Sequence, residues 1–274
     1  MSKSEFLKQK ASEIRKETLL IHKRAPETRV ASSLSPIETF TALYYGEVLK
    51  FDPKNPLWEG RDRFVISKGH GSISMYPILA DLGFFDRSEL QNVCRPGSFL
   101  GGIPDPIIPG YETINGSLGH GLGVACGMAV ALKAKNSDSS VFVIVGDGEL
   151  NEGSNWEAIM FASHNKLDNL TVIVDENKAS MLDFTKNILD TAPLSKRFEA
   201  FGFEAFIADG HDVVEMQTIL RCTKETKNKK PKVVCAQTLK GKGVAFLEKH
   251  PLSHILSIKP EQIDTIIGEM HGNH

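Results

Sequence analysis

Residues 140–177 of the chain read SVFVIVGDGELNEGSNWEAIMFASHNKLDNLTVIVDEN. The apolar runs near its two ends, residues 140–145 and 170–174, are typical of strands that are buried on both faces of a parallel sheet. Between them, residues 152–164 have the spacing of a helix. Parallel α/β sheets are built from units in which a strand is followed by a helix and a second strand, so this stretch predicts the fold class.

The rest of the chain continues the alternation of helices and strands, and no linker is long enough to divide it. The sequence therefore predicts an α/β fold in one domain, residues 1–274, with a doubly wound, mostly parallel sheet and helices on both faces. A Gly/Pro-rich loop is predicted for residues 94–119, and little regular structure after Lys240. The predicted helices are residues 4–22, 35–49, a helix starting near Gly119, 152–164, 194–201 and 213–223, and the predicted strands are residues 140–145, 170–174, 203–208 and 232–237.

Composition and charge exclude several classes of function. The net charge of −2 gives no reason to expect nucleic acid or an acidic membrane as a partner. The four cysteines form no CxxC pair, so neither a zinc site nor a disulfide framework is indicated, and reduced thiols are expected. The N-terminal residues are too charged for a signal peptide, and no apolar run approaches the length of a membrane span. The sequence predicts a cytoplasmic protein.

Polar residues follow both strands of the quoted stretch at the points where the strands end. Gly146, Asp147 and Gly148 come directly after the first strand, and Asn177 comes after the second. In parallel sheets, ligands bind beyond the carboxyl ends of the strands. The glycines allow backbone to approach a bulky anion, and Asp147 and Asn177 offer the oxygen ligands that Mg²⁺ prefers. The alternative is a tight turn at Gly146–Gly148 and a helix or turn cap at Asn177.

The same stretch resembles the thiamine-diphosphate motif of transketolases, with its GDG, EG, WEA, LDNL and DxN elements in register. Four other segments resemble transketolases as well, so the resemblance covers almost the whole chain. These segments are FDPKNPLWEGRDRFVISKGHGS (51–72), INGSLGHGLGVACGMAVALK (114–133), RFEAFGFEAFIADGHD (197–212) and TLKGKGVAFLE (238–248).

The resemblance implies thiamine diphosphate and Mg²⁺ as cofactors, and it implies roles for individual residues. Asp147, Asn177 and the backbone carbonyl of Ala179 would hold the metal. Catalytic roles would fall to His70, Glu152 and His254, with Glu152 and Glu157 in a carboxylate network between paired active sites. The alternatives are a solvent-exposed loop position for His70 and ordinary first-turn acids for the two glutamates. The implied cofactor-binding residues are Gly146, Gly148, Glu149, His70, Leu118 and Gly116.

The resemblance also implies a partner. Transketolases activate the cofactor with a glutamate on a separate pyrimidine-binding domain, and full-length members are more than twice as long as this chain. The chain therefore resembles the N-terminal subunit of a split transketolase, whose partner chain supplies the pyrimidine-binding domain. A truncated chain would have the same sequence pattern.

Two substrate-facing positions depart from the family pattern. Arg29 and Ile103 stand where transketolases have histidines that contact the donor's hydroxyls, and His120 replaces a glutamine. Neutral drift or local misalignment is one explanation, and an altered sugar site is the other. Arg29 can pair with a carboxylate or a phosphate, so it does not decide between donors.

The implied activity is transfer of a two-carbon ketol or acyl unit from a small-molecule keto donor to a carbonyl acceptor. The donor is either a ketose phosphate or pyruvate, the latter in acyl transfer to a sugar. A 2-oxo acid dehydrogenase component of the E1 type is an alternative, although the Lys-Gly-His and Gly-Ser-Leu-Gly elements are the transketolase versions. A non-catalytic, cofactor-binding subunit is the remaining alternative, and the intact Asp147, Asn177 and Glu152 argue against it.

Overall fold

The computed structural model describes residues 1–272 and contains a five-stranded sheet, all of whose neighbouring strands run parallel. The order across the sheet is β1-β2-β3-β5-β4. The sequence predicted four of these strands and missed β1, which is only four residues long. The strands are β1 Arg63–Ile66, β2 Val141–Gly146, β3 Leu170–Glu176, β4 Glu204–Asp209 and β5 Lys232–Gln237.

Eleven α-helices surround the sheet within the described part of the chain. The first begins at a capping box, in which Ser2 and Glu5 satisfy each other's backbone N–H groups. The helices are α1 Lys3–Arg24, α2 Val30–Leu34, α3 Ile37–Tyr44, α4 Met75–Asp81, α5 Gly121–Ala134, α6 Gly153–His164, α7 Thr185–Ile188, α8 Leu194–Ala200, α9 Val213–Glu225, α10 Ala245–Glu248 and α11 Pro260–Gly272. None of them is long and apolar enough to cross a membrane.

Side chains of the central strands point alternately into two separate cores. Phe142 and Ile144 of β2 pack with α1, α3 and α9, whereas Val143 and Val145 of the same strand pack with α5, α6 and α8. Both faces of the sheet are therefore buried, which explains the unbroken apolar runs in the sequence. The strand order reverses between β4 and β5, so the connecting helix α9 lies on the opposite face from α8. The doubly wound fold predicted from the sequence is confirmed.

Two segments bear on the predictions for irregular structure. Residues 92–120, all of them described, form no helix or strand, as predicted, and Leu100 and Ile108 anchor them with 0% exposure. The segment after Lys240 differs from the prediction, because it contains α10 and α11. Helix α11 packs against α1, where Ile263 is fully buried and Asp264 pairs with Lys23 at 2.7 Å.

The pairing of β2 with β3 places the functional motif. Gly146 lies opposite Asp175 at the carboxyl ends of these strands. Asp147 and Asn177 follow directly, so the fold brings both side chains to one edge of the sheet.

Candidate functional site

A cleft at this edge of the sheet contains the residues that follow β2 and β3. Asp147 is 5% exposed, and its carboxylate accepts backbone N–H groups from Gly148 at 2.8 Å and Lys178 at 2.6 Å. Asn177 is also buried, and its Oδ1 accepts the N–H of Ala179 at 3.1 Å. Asp147, Asn177 and Ala179 thus line one wall of the cleft together.

The carboxyl group of Asp147 lies in a place that disfavours its own charge. Burial and the neighbouring Asp175 raise its pKa to about 7, although two backbone N–H groups partly offset this. A bound cation would balance the charge. The described residues include no cluster of three or more His, Cys, Asp or Glu side chains that could hold a metal. One carboxylate, one amide and one carbonyl suit Mg²⁺, which takes few protein ligands and completes its shell with water and phosphate oxygens.

Asp175 organises the floor of the cleft. Its carboxylate forms a fully buried ion pair with Lys68 and accepts the hydroxyl of Ser35 at 2.7 Å. It also accepts the Nδ2–H of Asn177 at 3.0 Å, which orients that amide. Burial alone would raise the pKa of Asp175, but Lys68 and the hydroxyl donors hold it at about 2. Asp175 therefore remains charged and fixes Lys68.

Lys240 is the second buried cation of the cleft. Its Nζ donates to the carbonyl of Ala179 at 3.0 Å and of Ser180 at 3.3 Å, and it lies 3.1 Å from Nδ1 of His254. Burial and the nearby Lys68 lower its pKa to about 8. Lys68, Lys240 and Gly148 all line the cleft, so two ammonium groups face a space that an anion can enter.

Two histidines face each other across the cleft. The rings of His70 and His254 lie 4.8 Å apart, and both are half-buried. Burial and the neighbouring lysines lower the pKa of His70 to about 2 and that of His254 to about 4, so both are neutral. Because Lys240 has only protons to donate, Nδ1 of His254 accepts and its Nε2 carries the proton.

Four of the predicted cofactor-binding residues, Gly116, Leu118, Gly146 and Gly148, line the cleft. Glu149 lines it as well, but its carboxylate binds protein groups. It accepts the N–H of Gly119 at 3.0 Å and of Gly146 at 3.1 Å, and the hydroxyl of Ser67. Its charge ties the ends of β1 and β2 to the start of α5.

Glu152 and Glu157 do not line the cleft. Glu152 precedes α6 directly without a capping hydrogen bond from its side chain, Glu157 lies within α6, and both are exposed. Ile103 lies at the cleft's mouth, 42% exposed, with its Cδ1 3.3 Å from the position of a Cβ built on Gly116. Arg29 is exposed and close enough to His254 for its charge to lower that histidine's pKa. His120 is exposed, with Nδ1 3.0 Å from the carbonyl of Leu118.

Sequence reasoning missed the roles of Lys68, Asp175 and Lys240. All three lie within segments that resemble transketolases, and Lys68 precedes His70 in the Lys-Gly-His element. That element and the TLKGKG segment were the available signals. Single lysines have no diagnostic spacing, however, and only the fold brings residues so far apart in the chain together.

Comparison with known proteins agrees with this geometry. Residues 18–271 match the family described as transketolase, thiamine diphosphate binding domain. The chain belongs to the transketolase family. It is 40% identical over 266 residues to a subunit of the apulose-4-phosphate transketolase of Actinobacillus succinogenes, covering 96% of this chain and 95% of the relative. It is 36% identical over 265 residues to 6-deoxy-6-sulfo-D-fructose transketolase subunit SqwG of a Clostridium species, covering 96% of each.

Among solved structures, the transketolase of Campylobacter jejuni superposes with a TM-score of 0.89 and 31% identity. The match covers 99% of this chain and 43% of that one, so the chain spans less than half of the solved transketolase. The family description and the relatives identify a thiamine-diphosphate-dependent, transketolase-like transferase subunit.

Proposed function

We propose that this transketolase-family chain holds thiamine diphosphate together with Mg²⁺ and transfers a two-carbon ketol or acyl unit when a second, pyrimidine-binding subunit is present. The observation that carries the proposal is the convergence of Asp147, Asn177 and Ala179 with the two buried lysines in one cleft. Cation ligands and anion-binding lysines side by side fit a metal–diphosphate pair.

The metal would be held by the Asp147 carboxylate, the Asn177 amide oxygen and the Ala179 carbonyl. Gly148, Lys68 and Lys240 would bind the diphosphate, with Gly146, Gly116 and Leu118 shaping the cleft around the cofactor. Thiamine diphosphate supplies an electron sink for breaking and forming a carbon–carbon bond. Glu149 keeps the surrounding backbone in place, since its carboxylate joins three chain segments.

His70 and His254 are the proposed catalytic groups of this chain. Both are neutral at physiological pH, so each ring can donate one hydrogen bond and accept another. The Nε2–H of His254 is available to donate to an oxygen of the donor substrate, because its Nδ1 is engaged by Lys240. Glu152, directly before α6, and Glu157, within α6, are exposed, so a neighbouring subunit could reach them.

The names of the two relatives support a partner, since both of those proteins are named as subunits of a transketolase. We infer an assembly containing two copies of each chain. Residues 1–274 would act as one cofactor-binding domain. We propose the cytoplasm as its location, where the four free cysteines would stay reduced.

Two kinds of donor substrate fit the proposal, an anionic ketose and pyruvate. The two relatives are named for ketoses that carry a phosphate or a sulfonate group, which favours an anionic ketose donor. Arg29, exposed near His254, can pair with such a group. Ile103 favours pyruvate instead, because an apolar side chain at the cleft's mouth offers no hydrogen bond to a donor hydroxyl.

A calorimetric titration with thiamine diphosphate tests the proposal. Binding is expected in the presence of Mg²⁺ and should be lost when EDTA removes the metal. Equal affinity with and without the metal would remove the metal part of the proposal, and no binding under either condition would remove the cofactor part.

A further inference from the structure

The loop that carries Lys240 is held from behind by three charged or polar side chains on other elements. Residues 239–243 follow β5, and Gly241 donates its N–H to the carbonyl of Ala31 at 2.9 Å. Behind this loop lie Arg15 of α1, Glu38 of α3 and His211, which precedes α9. We call these three residues the Arg15/Glu38/His211 cluster. None of them lines the cleft described above.

His211 binds the start of the loop. Its Nε2 accepts the backbone N–H of Leu239 at 2.8 Å, so its proton lies on Nδ1, which is 3.2 Å from the Glu38 carboxylate. One imidazole thus joins Leu239, the residue before Lys240, to the buried carboxylate of Glu38.

Arg15 binds the end of the loop. It forms an ion pair with Glu38 and donates from NH1 to the carbonyls of Lys242 at 2.8 Å and Leu34 at 2.9 Å. Gly243 has a φ of +88°, and a Cβ there would lie 2.9 Å from Cδ of Arg15. The close fit of the loop against Arg15 therefore requires glycine at this position.

Glu38 binds both Arg15 and His211. It is 8% exposed, and Arg15 and His211 bind different oxygens of its carboxylate. Burial alone would raise its pKa, but Arg15 and His211 keep it below the usual value. The cluster is thus a satisfied buried network, and such networks fix the elements that they join.

We infer that the Arg15/Glu38/His211 cluster positions Lys240, and that it does so through the backbone at Leu239 and Lys242. Lys240 in turn contacts the carbonyl of Ala179 and the ring of His254. Without the cluster, the loop would move and the amine of Lys240 would leave the cleft. The residues that line the cleft would themselves be unmutated. The consequence for cofactor affinity rests on the function proposed above, whereas the consequence for the loop does not.

Hydrogen–deuterium exchange on the full chain tests the effect on the loop. In His211→Ala, the amides of residues 239–243 should exchange about three- to tenfold faster, since Leu239 loses its acceptor. His211→Gln, which keeps an acceptor and a donor on one planar group, should restore slow exchange. If His211→Ala does not fold, His211→Asn serves instead, because its amide is one carbon shorter and would bind only one of the two partners.

The matched control is Glu112→Gln, which weakens the partly buried Arg61–Glu112 ion pair far from the loop. It should leave exchange of residues 239–243 unchanged even though it also lowers stability. Unchanged exchange in the His211 variants, or equally fast exchange in the control, would overturn the inference.

A double-mutant cycle on the dissociation constant of thiamine diphosphate with Mg²⁺ tests the effect on the cleft. His211→Ala should weaken binding about three- to tenfold in the parent and have no further effect in Lys240→Met, because both act through the same amine. Additive effects would overturn the inference. If the parent itself does not bind the cofactor, the proposed function fails, while the exchange experiment still decides whether His211 positions the loop.

Discussion

At the scale of single residues, the first prediction concerns Asp147. Its removal should weaken cofactor binding without lowering the stability of the fold. In Asp147→Ala, Mg²⁺-dependent affinity for thiamine diphosphate should fall by at least about a hundredfold, since even outer-shell partners of metals contribute about ten- to a hundredfold. The melting temperature should stay the same or rise, because burial and Asp175 disfavour this charge in the absence of a cation. Calorimetry and thermal unfolding measure the two effects.

The control for this variant is Asp138→Ala, which removes an exposed aspartate outside the cleft. It should change neither quantity. Unchanged cofactor affinity in Asp147→Ala would show that this carboxylate is not a metal ligand.

Ile103 carries a prediction about the donor. A donor hydroxyl placed against it would lose water without gaining a partner, at a cost of about 1–3 kcal/mol, or roughly five- to 150-fold in kcat/KM. If Ile103 rather than Arg29 decides the donor, the assembled enzyme should prefer pyruvate to xylulose 5-phosphate, and Ile103→His should shift the ratio of the two kcat/KM values toward the ketose phosphate.

The same substitution at Ile107, an exposed residue outside the cleft, should leave that ratio unchanged. Efficient use of the ketose phosphate by the parent, with no use of pyruvate, would mean that another residue has replaced the lost histidines.

How far the site could be predicted depended on where each residue lies in the sequence. Asp147 and Asn177 follow strands that the sequence reveals, so their meeting at one sheet edge was predictable. Lys68, Asp175 and Lys240 come from three distant segments, and no local rule says that they meet. The exposure of Glu152 and Glu157 could not be predicted from the sequence either, because it depends on how α6 faces the sheet. Their role in a carboxylate network between paired active sites stays a prediction.

At the scale of elements, strands buried on both faces were the easiest to predict. Residues 141–145 and 170–174 are entirely buried, so their sequences contain little but apolar residues. β1 was missed because its four residues follow the charged segment Arg61-Asp62 and begin with Arg63. α11 was missed because its burial depends on α1, at the other end of the described chain.

The contact between α1 and the segment before α11 predicts a dependence of stability on pH. His22, 1% exposed, lies 2.8 Å from the Thr28 hydroxyl through Nδ1 and accepts the N–H of Ile258 at 3.3 Å through Nε2. Burial lowers its pKa from 6.5 to about 4. The unfolded chain therefore binds the proton more tightly than the folded one, so stability is retained above pH 6.5 and falls as the pH drops toward 4.

This single group should lower the free energy of unfolding by about 2–3 kcal/mol between pH 6.5 and pH 4. Urea unfolding of His22→Gln should show lower stability at neutral pH and a flatter profile over that interval than the parent. His164→Gln, at an exposed position, is the control. Parallel profiles for the parent and His22→Gln would contradict the prediction.

At the scale of the whole molecule, the prediction concerns assembly. The purified chain should show no ketol or acyl transfer, and adding the pyrimidine-binding subunit should restore turnover in a complex of two copies of each chain. Coupled assays and light scattering measure activity and mass. Asp147→Ala should assemble normally but remain inactive, which would assign the activity to this cleft. Turnover by the chain alone would contradict the split arrangement.

In the segment of residues 92–120, the residues that hold the fold are different from the residue at the mouth of the cleft. Leu100 and Ile108 anchor it in the core, whereas Ile103, between them, is 42% exposed at the mouth of the cleft. A substitution at such an exposed position changes stability little. If Ile103 contacts the donor as proposed, substrate preference can change in this segment while the strand ends proposed to hold the cofactor stay the same. A mutant library at residue 103 should then yield variants that fold like the parent and differ in donor preference.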